Sequence, residues 1–167
     1  HGRLQVNDLL EIDLKDLLGR ETVQPNRELF KMNIYNKVVM VTGSGGSIGA
    51  ELCRQVLNLK PKKLILFEIS EFSLYEINQE LKDINEFNID VCPVLGSVTD
   101  KDRAFKICEH YGVQTIYHAA AYKHVPLVEF NPSIGVFNNT IGTLQIAEAA
   151  IESNVETFVL ISTDKAV

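Results

Sequence analysis

Side chains with different proton chemistry stand side by side near the end of the sequence. Ser162-Thr163-Asp164-Lys165 places hydroxyls, a carboxylate and an amine directly after the apolar run 158–161. A neighbouring acid and base are what proton transfer requires. A lysine acts as a base only where burial or nearby positive charge lowers its pKa. The pattern therefore predicts an acid–base pair, and its alternative is an ion pair that caps a helix.

A glycine-rich turn lies far upstream of these residues. Gly43, Gly46 and Gly49 follow the apolar run 38–41 at G-x-x-G-x-x-G spacing, and an amphipathic segment comes next. Glycine permits positive φ and close approach of a ligand, and a helix N-terminus offers free N–H groups to an anion. We therefore predict a pyrophosphate-binding turn; the alternative is a plain strand–helix turn. The candidate cofactor-binding residues here are Gly43, Ser44, Gly45, Gly46, Ser47, Ile48 and Gly49.

Glu68 follows the next apolar run, 64–67. A carboxylate at that point can accept both hydroxyls of an adenosine ribose. It would repel a 2′-phosphate, and no arginine or lysine occupies the next few positions. The sequence therefore favours NAD, with NADP as the alternative cofactor. A solvated loop acid is the other interpretation of Glu68.

Further candidates stand at the ends of later strands. Small side chains at Ala119, Ala120 and Ala121 would let a cofactor lie against the backbone, and a lysine just beyond can bind ribose hydroxyls or phosphate. The candidates are Ser97 and Val98 beside the adenine, then Ala119, Ala120, Ala121 and Lys123. His124 is interpreted as a solvated residue. Asn139 lies within a helical pattern where asparagine has low propensity, so we expect a tertiary hydrogen bond to hold it.

Strands alternating with helices must position these residues. The predicted strands are 37–42, 64–67, 91–95, 115–118 and 158–161, and Pro93 favours an edge position for the third. The predicted helices follow the first four strands, with Asp100 as N-cap of the third. Their apolar sides are predicted at Ile48, Leu52, Cys53 and Val56; at Leu74, Ile77, Leu81 and Ile84; at Ala104, Ile107 and Cys108; and at Ile134, Phe137, Ile141, Leu144, Ala147 and Ile151. This order predicts an α/β fold, a doubly wound parallel sheet of Rossmann type with about five strands.

Composition excludes several classes of function. The 167 residues have a net charge of -6, which gives no basic surplus for nucleic-acid phosphates. No apolar run is long enough to span a membrane, and no signal peptide opens the chain. Three scattered cysteines favour a reducing compartment, so we expect a cytoplasmic location. No metal site is predicted.

Residues 1–36 are interpreted as an N-terminal arm, and residues 37–167 as the dinucleotide-binding domain. Leu9, Leu10 and Ile12 and their apolar neighbours alternate with charged residues, and Gly19 ends a short helical turn. We expect the arm to pack on the domain or on a partner; a disordered linker is the alternative.

Three strings together carry a family resemblance. Thr42-Gly43-Ser44-Gly45-Gly46-Ser47-Ile48-Gly49, the string 118–126 (HAAAYKHVP) and Ser162-Thr163-Asp164-Lys165-Ala166 resemble the extended short-chain dehydrogenase/reductases. Within them, the chain is most similar to the polysaccharide-biosynthesis group of UDP-N-acetylglucosamine 4,6-dehydratases, of capsular and flagellar type. The segment 16–20 also resembles the one that precedes the dehydratase domain in long, membrane-anchored members.

The resemblance implies a mechanism. A nicotinamide cofactor takes hydride from sugar C4, a base removes the acidified C5 proton, an acid protonates the leaving C6 hydroxyl, and hydride returns to C6. Carried onto this sequence, Lys165 is the base, Asp164 the acid and Thr163 the hydroxyl that polarises the C4 oxygen. Ser162 and Thr163 are the implied substrate contacts. The implied partners are a UDP-sugar and, we expect, further copies of the chain in a homo-oligomer.

Two departures from the family pattern limit this expectation. Ser97 stands where the family often has an aspartate for the adenine amino group. The family's Y-x-x-x-K or M-x-x-x-K motif would come after Val167, where the sequence ends. We interpret the chain as the cofactor half of a larger dehydratase for capsule, O-antigen or related glycans, and expect it to be inactive alone. The parent would lie in the cytoplasm, with the cytoplasmic face of the inner membrane as the other possibility.

Two other functions remain open at this point. The same fold serves nucleotide-sugar C4-epimerases and reductases, which need no acid–base pair for C5 and C6. A domain that binds NAD without catalysis, within a membrane glycan-assembly protein, is the alternative from another class.

Overall fold

Short runs rich in β-branched and aromatic residues form a parallel sheet. The computed structural model of the protein describes residues 27–162. Its strands are β1 (Val38–Thr42), β2 (Lys63–Glu68), β3 (Asp90–Leu95), β4 (Thr115–His118) and β5 (Thr157–Leu160). They pair in parallel in the order β3-β2-β1-β4-β5. This order confirms the Rossmann-type doubly wound sheet and the edge position of the strand that contains Pro93.

Helices connect the strands. They are α1 (Arg27–Ile34), α2 (Ser47–Asn58), α3 (Glu71–Ile84), α4 (Lys101–Tyr111), α5 (Val125–Phe130), α6 (Pro132–Val136) and α7 (Gly142–Glu152), with a π-helical turn, Phe137–Ile141, between α6 and α7. Ser70 caps α3 by accepting a hydrogen bond from Ser73 N, and Asp100 caps α4 by accepting one from Arg103 N. The predicted N-cap at Asp100 is confirmed.

Alternating residues of the central strands supply two cores. One core joins Val39 and Val41 of β1 to the inner sides of α2 and α3. The other joins Met40 of β1 to α4 and α7. Since successive side chains of a strand point to opposite faces, β1 anchors both layers. Its five residues are all buried.

The helix predicted after β4 differs from the structure. The chain there is divided into α5, α6, the π turn and α7, and most of the predicted apolar side is exposed, Ile151 to 76%. The residues of α7 that pack on the sheet are instead Gly142, Ile146, Ala149 and Ala150. A π turn closes over five residues rather than four, so it rotates the face presented by the residues after it, Leu144 and Ile151 among them, whereas the exposed Ile134 precedes it in α6. Ile48 and Ile84, predicted on inner helix sides, are exposed as well because both lie at helix ends.

The last residues before β1 belong to the fold. Ile34 of α1 is buried in the core beneath α2 and α3. The hydroxyl of Thr115 donates to the backbone oxygen of Asn33 at 2.6 Å, which ties α1 to β4. Residues 1–26 of the predicted arm lie outside the described residues. No helix within 27–162 has the length and hydropathy needed to cross a membrane.

Candidate dinucleotide site

The strands place the predicted residues along one edge of the sheet. The carboxyl ends of β1, β2, β3 and β4 meet there, since parallel strands all end on the same side. A small cavity opens at this edge. It is lined by Gly43, Phe67, Glu68, Ile69, Gly96, Ser97, Val98, Ala120 and Asn138. The turn after β1 and candidates from the ends of β2, β3 and β4 therefore come together although they are separated by up to 77 residues in the numbering.

The glycine turn leaves no room for side chains at two of the three positions in its G-x-x-G-x-x-G spacing. Gly43 has φ +66°, and a Cβ there would lie 2.7 Å from Cα of Ala120. A Cβ on Gly49 would overlap the carbonyl oxygen of Gly43. Gly46, the N-cap of α2, is looser, with its nearest neighbour at 3.3 Å. The turn therefore packs β1 tightly against α2 and leaves the helix start without a side-chain cap.

Gly45 has a constraint of its own. It lies outside the G-x-x-G-x-x-G spacing, yet a Cβ there would overlap the side chain of Ser73 in α3. This contact holds the turn against the helix that follows β2. Ser44 beside it is fully buried, and its hydroxyl has no partner among the described residues.

Glu68 is already engaged by backbone groups. One carboxylate oxygen accepts from Gly45 N at 3.0 Å. The other accepts from Ile69 N at 2.9 Å and from Ser70 N at 3.0 Å. The side chain is 8% exposed and borders the cavity. The predicted ribose acceptor is thus also a link between the glycine turn and the end of β2.

The candidates after β3 are held by local contacts. The Ser97 hydroxyl lies 2.8 Å from that of Thr99 and accepts from Thr99 N at 3.2 Å. Val98 is buried against Gly142 of α7. Gly96 N donates to the carbonyl of Glu68 at 2.8 Å, so β3 ends beside the same carboxylate residue. Gly96, Ser97 and Val98 thus line one side of the cavity.

The candidates after β4 face the glycine turn. Ala119 N donates to Thr42 O at 3.1 Å, and Ala120 packs on Gly43. The Lys123 ammonium donates to the hydroxyl of Ser47 at 2.9 Å. Because Ser47 is the first residue of α2, the lysine adds a positive charge beside the positive end of that helix dipole. Anion binding is the chemistry that this pair of features supports.

Buried polar residues that the sequence did not single out lie directly beneath the site. His118, at the end of β4, is 1% exposed and hydrogen bonds to Thr42 and Thr143. Burial lowers the pKa of its imidazole to about 4. The predicted tertiary hydrogen bonds of Asn139 are confirmed, since its amide binds the backbone of Tyr122. For His118 the sequence did offer a signal: a histidine at the end of an apolar strand is buried there and needs polar partners.

The predicted acid–base group is only partly described. Ser162 is exposed just beyond β5, and Ile161 N donates to His118 O at 3.0 Å, which extends that strand beside β4. Thr163, Asp164 and Lys165 lie outside the described residues.

A second cavity of about 420 Å³ flanks Lys123. Its walls are formed by Ala121, Tyr122, Lys123, His124, Leu127, Val128, Asn131, Ile134 and Gly135.

The chain is similar to known proteins over the strands and loops that form the candidate site. A family model described as polysaccharide biosynthesis protein matches residues 39–167. Capsular polysaccharide biosynthesis protein CapD of Staphylococcus aureus is 45% identical over 99% of this chain, which spans 28% of that protein. A UDP-N-acetylglucosamine 4,6-dehydratase (inverting) of Campylobacter jejuni is 33% identical over 80% of this chain and 38% of its own length.

A solved structure shares the fold. It is a UDP-glucose-4-epimerase from Stenotrophomonas maltophila with bound NAD and formylated UDP-arabinopyranose. The match has a TM-score of 0.67 at 19% identity and covers 77% of this chain and 38% of the epimerase. The chain therefore spans less than half of the length of these proteins.

Proposed function

We propose that this chain, which belongs to the polysaccharide biosynthesis protein family, is the dinucleotide-binding half of a nucleotide-sugar 4,6-dehydratase. Its relatives are nucleotide-sugar dehydratases and epimerases as well as capsule biosynthesis proteins. The choice of dehydratase rests on the acid and base of the 162–165 string. The substrate class that we propose is UDP-N-acetylglucosamine, as in the Campylobacter jejuni relative.

The observation that carries the proposal is the cradle at the start of α2. The helix begins at a tight glycine turn with no side-chain cap, and the Lys123 ammonium lies against its first residue. Free helix N–H groups and a lysine together match the charge of a pyrophosphate. The buried Ser44 hydroxyl supplies a further polar group without a partner among residues 27–162. These residues fit a dinucleotide.

In this proposal, different residues would hold different parts of the cofactor. The first turn of α2 and Lys123 would hold the pyrophosphate, and Glu68, whose Oε2 accepts only one backbone hydrogen bond, would accept an adenosine ribose hydroxyl. The backbone of Gly96, Ser97 and Val98 would border the adenine. The chemistry that the dinucleotide supplies when bound is the removal and return of a hydride.

The remaining chemistry falls to the chain itself. In this proposal Lys165 takes the proton from sugar C5 while the C6–oxygen bond breaks. Asp164 gives a proton to the departing C6 hydroxyl, which leaves as water. Thr163 donates a hydrogen bond to the C4 oxygen. In the sequence the string comes shortly after β5, whose carboxyl end lies on the same side of the parallel sheet as the cofactor cradle.

The cavity beside Lys123 supports a place for the sugar. Leu127, Val128 and Ile134 line it with apolar surface, and His124 and Asn131 add hydrogen-bonding groups. An acylamino sugar presents a methyl group together with hydroxyls, so it matches both the apolar and the hydrogen-bonding groups of these walls. We propose that the sugar of the substrate occupies this cavity.

Removing the carboxylate of Glu68 will shift cofactor preference toward NADP. In Glu68→Ala the N–H groups of Gly45, Ile69 and Ser70 lose their acceptor. They become available to a 2′-phosphate, and the repulsive charge is gone. We expect the ratio of NADP to NAD affinity, measured by calorimetry, to rise by at least about tenfold, or 1.4 kcal/mol.

Glu71→Ala is the matched control for this change. Glu71 is an exposed acid in the first turn of α3, so its loss changes the net charge equally without freeing the three N–H groups. Its affinity ratio should stay within about twofold of the parent. Equal shifts in both variants would show that charge alone, and not the engagement of Glu68, sets cofactor choice.

The function is tested on the intact natural protein that contains this sequence. Incubation with NAD and UDP-N-acetylglucosamine, followed by NMR, should show a 4-keto-6-deoxy sugar nucleotide. In Lys165→Ala that product should disappear while NAD binding remains. A product inverted only at C4, formed equally well by Lys165→Ala, would establish a C4-epimerase instead. NAD binding with no conversion of any sugar nucleotide would favour a non-catalytic domain, whereas the 167-residue chain alone is expected to bind NAD without turnover.

A further inference from the structure

A buried line of hydrogen bonds runs beneath the dinucleotide cradle. The hydroxyl of Thr42 lies 2.7 Å from His118 Nδ1, and His118 Nε2 lies 3.0 Å from the hydroxyl of Thr143. Thr143 in turn donates to the backbone oxygen of Asn139 at 2.7 Å. Thr42 is the last residue of β1, directly before the glycine turn. The line therefore joins β1, β4, α7 and the π turn.

The donors and acceptors along this line of hydrogen bonds can be assigned. The only hydroxyl hydrogen of Thr143 is used by Asn139 O, so Thr143 must accept the N–H of His118 Nε2. A neutral imidazole with its proton on Nε2 has an acceptor at Nδ1, which Thr42 satisfies by donating. Phe158 stacks on the ring with centroids 5.9 Å apart. Thr143 thus fixes a proton on Nε2, and burial keeps the ring neutral, so that Nδ1 accepts from Thr42.

Asn139 connects the buried line of hydrogen bonds to the backbone beside Lys123. Its Oδ1 accepts from Tyr122 N at 2.8 Å, and its Nδ2 donates to Tyr122 O at 2.9 Å. Both backbone groups of Tyr122 are therefore held by one side chain. The next residue is Lys123, whose ammonium lies on Ser47 at the start of α2. The π turn places Asn139 opposite Tyr122, and such turns often occur at functional sites.

We propose that His118 is a positioning residue for the dinucleotide, which acts through Thr143 and Asn139 to hold Lys123 at the first turn of α2. The proposal rests on the proposed binding of a dinucleotide at that turn. The imidazole never contacts the ligand. It orients Thr143, whose hydroxyl fixes the carbonyl of Asn139, and the Asn139 amide fixes the backbone that precedes Lys123.

The test removes one hydroxyl from the middle of the line. Thr143→Val keeps the shape but deletes both hydrogen bonds, whereas Thr143→Ser keeps the hydroxyl. Thr140→Val makes the same change at an exposed threonine of the π turn and serves as the matched control. Two quantities are measured on the 167-residue chain: NAD affinity by calorimetry, and hydrogen exchange of the Tyr122 amide by NMR.

The expected pattern is specific to the line. Thr143→Val should weaken NAD binding about fivefold, as for the loss of one hydrogen bond, and speed exchange at Tyr122 about tenfold. Thr143→Ser should restore both values, and Thr140→Val should change neither. With Lys123→Met already present, Thr143→Val should alter NAD affinity by less than about twofold, because its effect passes through Lys123.

Three results would overturn the proposal. One is a lower Tm in Thr143→Val with unchanged NAD affinity, which would make the line purely structural. Another is an undiminished effect of Thr143→Val in the Lys123→Met background. The third is unchanged exchange at Tyr122. If the parent chain fails to bind NAD while exchange still responds as expected, the proposed function fails and the connection from Thr143 to Tyr122 stands.

A measurement on the unmodified chain covers the case in which Thr143→Val does not fold. Nitrogen-15 NMR of the histidine rings at neutral pH should show His118 as the Nε2–H tautomer, assigned by its loss in His118→Gln. With the Nδ1–H tautomer, Nε2 would instead accept from the Thr143 hydroxyl, whose single hydrogen would no longer reach Asn139 O, and the proposal would be overturned.

Discussion

Replacing Gly49 with alanine will destabilise the whole domain, whereas the same change at Gly46 will weaken dinucleotide binding and leave the fold intact. A methyl group on Gly49 overlaps the carbonyl oxygen of Gly43, and the obstacle is backbone that cannot rotate away. We expect Gly49→Ala to lower the free energy of unfolding by about 3 kcal/mol and the Tm by about 10 °C. The turn between β1 and α2 must open to admit the methyl group.

Gly46→Ala provides the contrast within the same motif. Its added methyl group has its nearest neighbour at 3.3 Å, and φ of −74° suits any residue. The unfolding free energy should change by no more than about 1 kcal/mol. NAD affinity should nevertheless fall by about tenfold or more, because the proposed pyrophosphate site lies against this part of the backbone. Urea denaturation and calorimetry on the three proteins measure both quantities. Equal losses of stability in the two variants would contradict the different packing of the two glycines.

The domain will lose stability in mild acid through His118. The unfolded imidazole has a pKa near 6.5, and burial lowers the folded pKa to about 4. The contribution of the neutral imidazole is fully present above pH 6.5 and is lost as pH falls toward 4, since the unfolded chain then binds a proton that the folded chain excludes. The loss amounts to about 2 kcal/mol by pH 5 and on the order of 3 kcal/mol by pH 4.

Urea unfolding at pH 7.5 and at pH 5 measures this loss. The interval lies largely above the titration of the carboxylates, whose pKa values are lowered at Glu51, Glu80 and Glu156. His118→Gln should be less stable than the parent at pH 7.5 but nearly independent of pH across the interval. His110→Gln, at an exposed histidine of α4, should retain the full dependence. A parent that is equally stable at both pH values would mean that the imidazole is not excluded from protonation in the folded state.

Local sequence patterns predicted the sheet well because each of its elements has a local signal. Continuous apolar runs marked strands buried on both faces, and Pro93 marked the edge strand. The side of the long helical pattern could not be predicted in the same way. Its phase changes at the π turn, where Asn139 makes tertiary hydrogen bonds that the spacing of apolar residues does not reveal. The apolar stripe read off at a fixed helical period was therefore largely the exposed one.

Some features of the candidate site could likewise be predicted from the sequence, and others could not. The placement of Glu68, Ala120 and Lys123 beside the glycine turn could be predicted because strand ends in a parallel sheet share one edge, whereas their cofactor roles stay predictions. The contact of Gly45 with Ser73 and the line from Thr42 through His118 to Thr143 could not, since each joins positions at least 25 residues apart through side-chain geometry alone. The catalytic roles of Thr163, Asp164 and Lys165 stay predictions from the sequence.

The three backbone hydrogen bonds of Glu68 have a consequence for the speed of cofactor exchange. They tie the glycine turn to the end of β2 with an anion that belongs to the chain, so the turn is held in one shape without a bound ligand. The entropy of ordering this loop is lost once, during folding, and not at each encounter. A dinucleotide that binds as proposed would meet a turn that is already ordered, and association should therefore proceed in a single phase whose rate rises linearly with dinucleotide concentration.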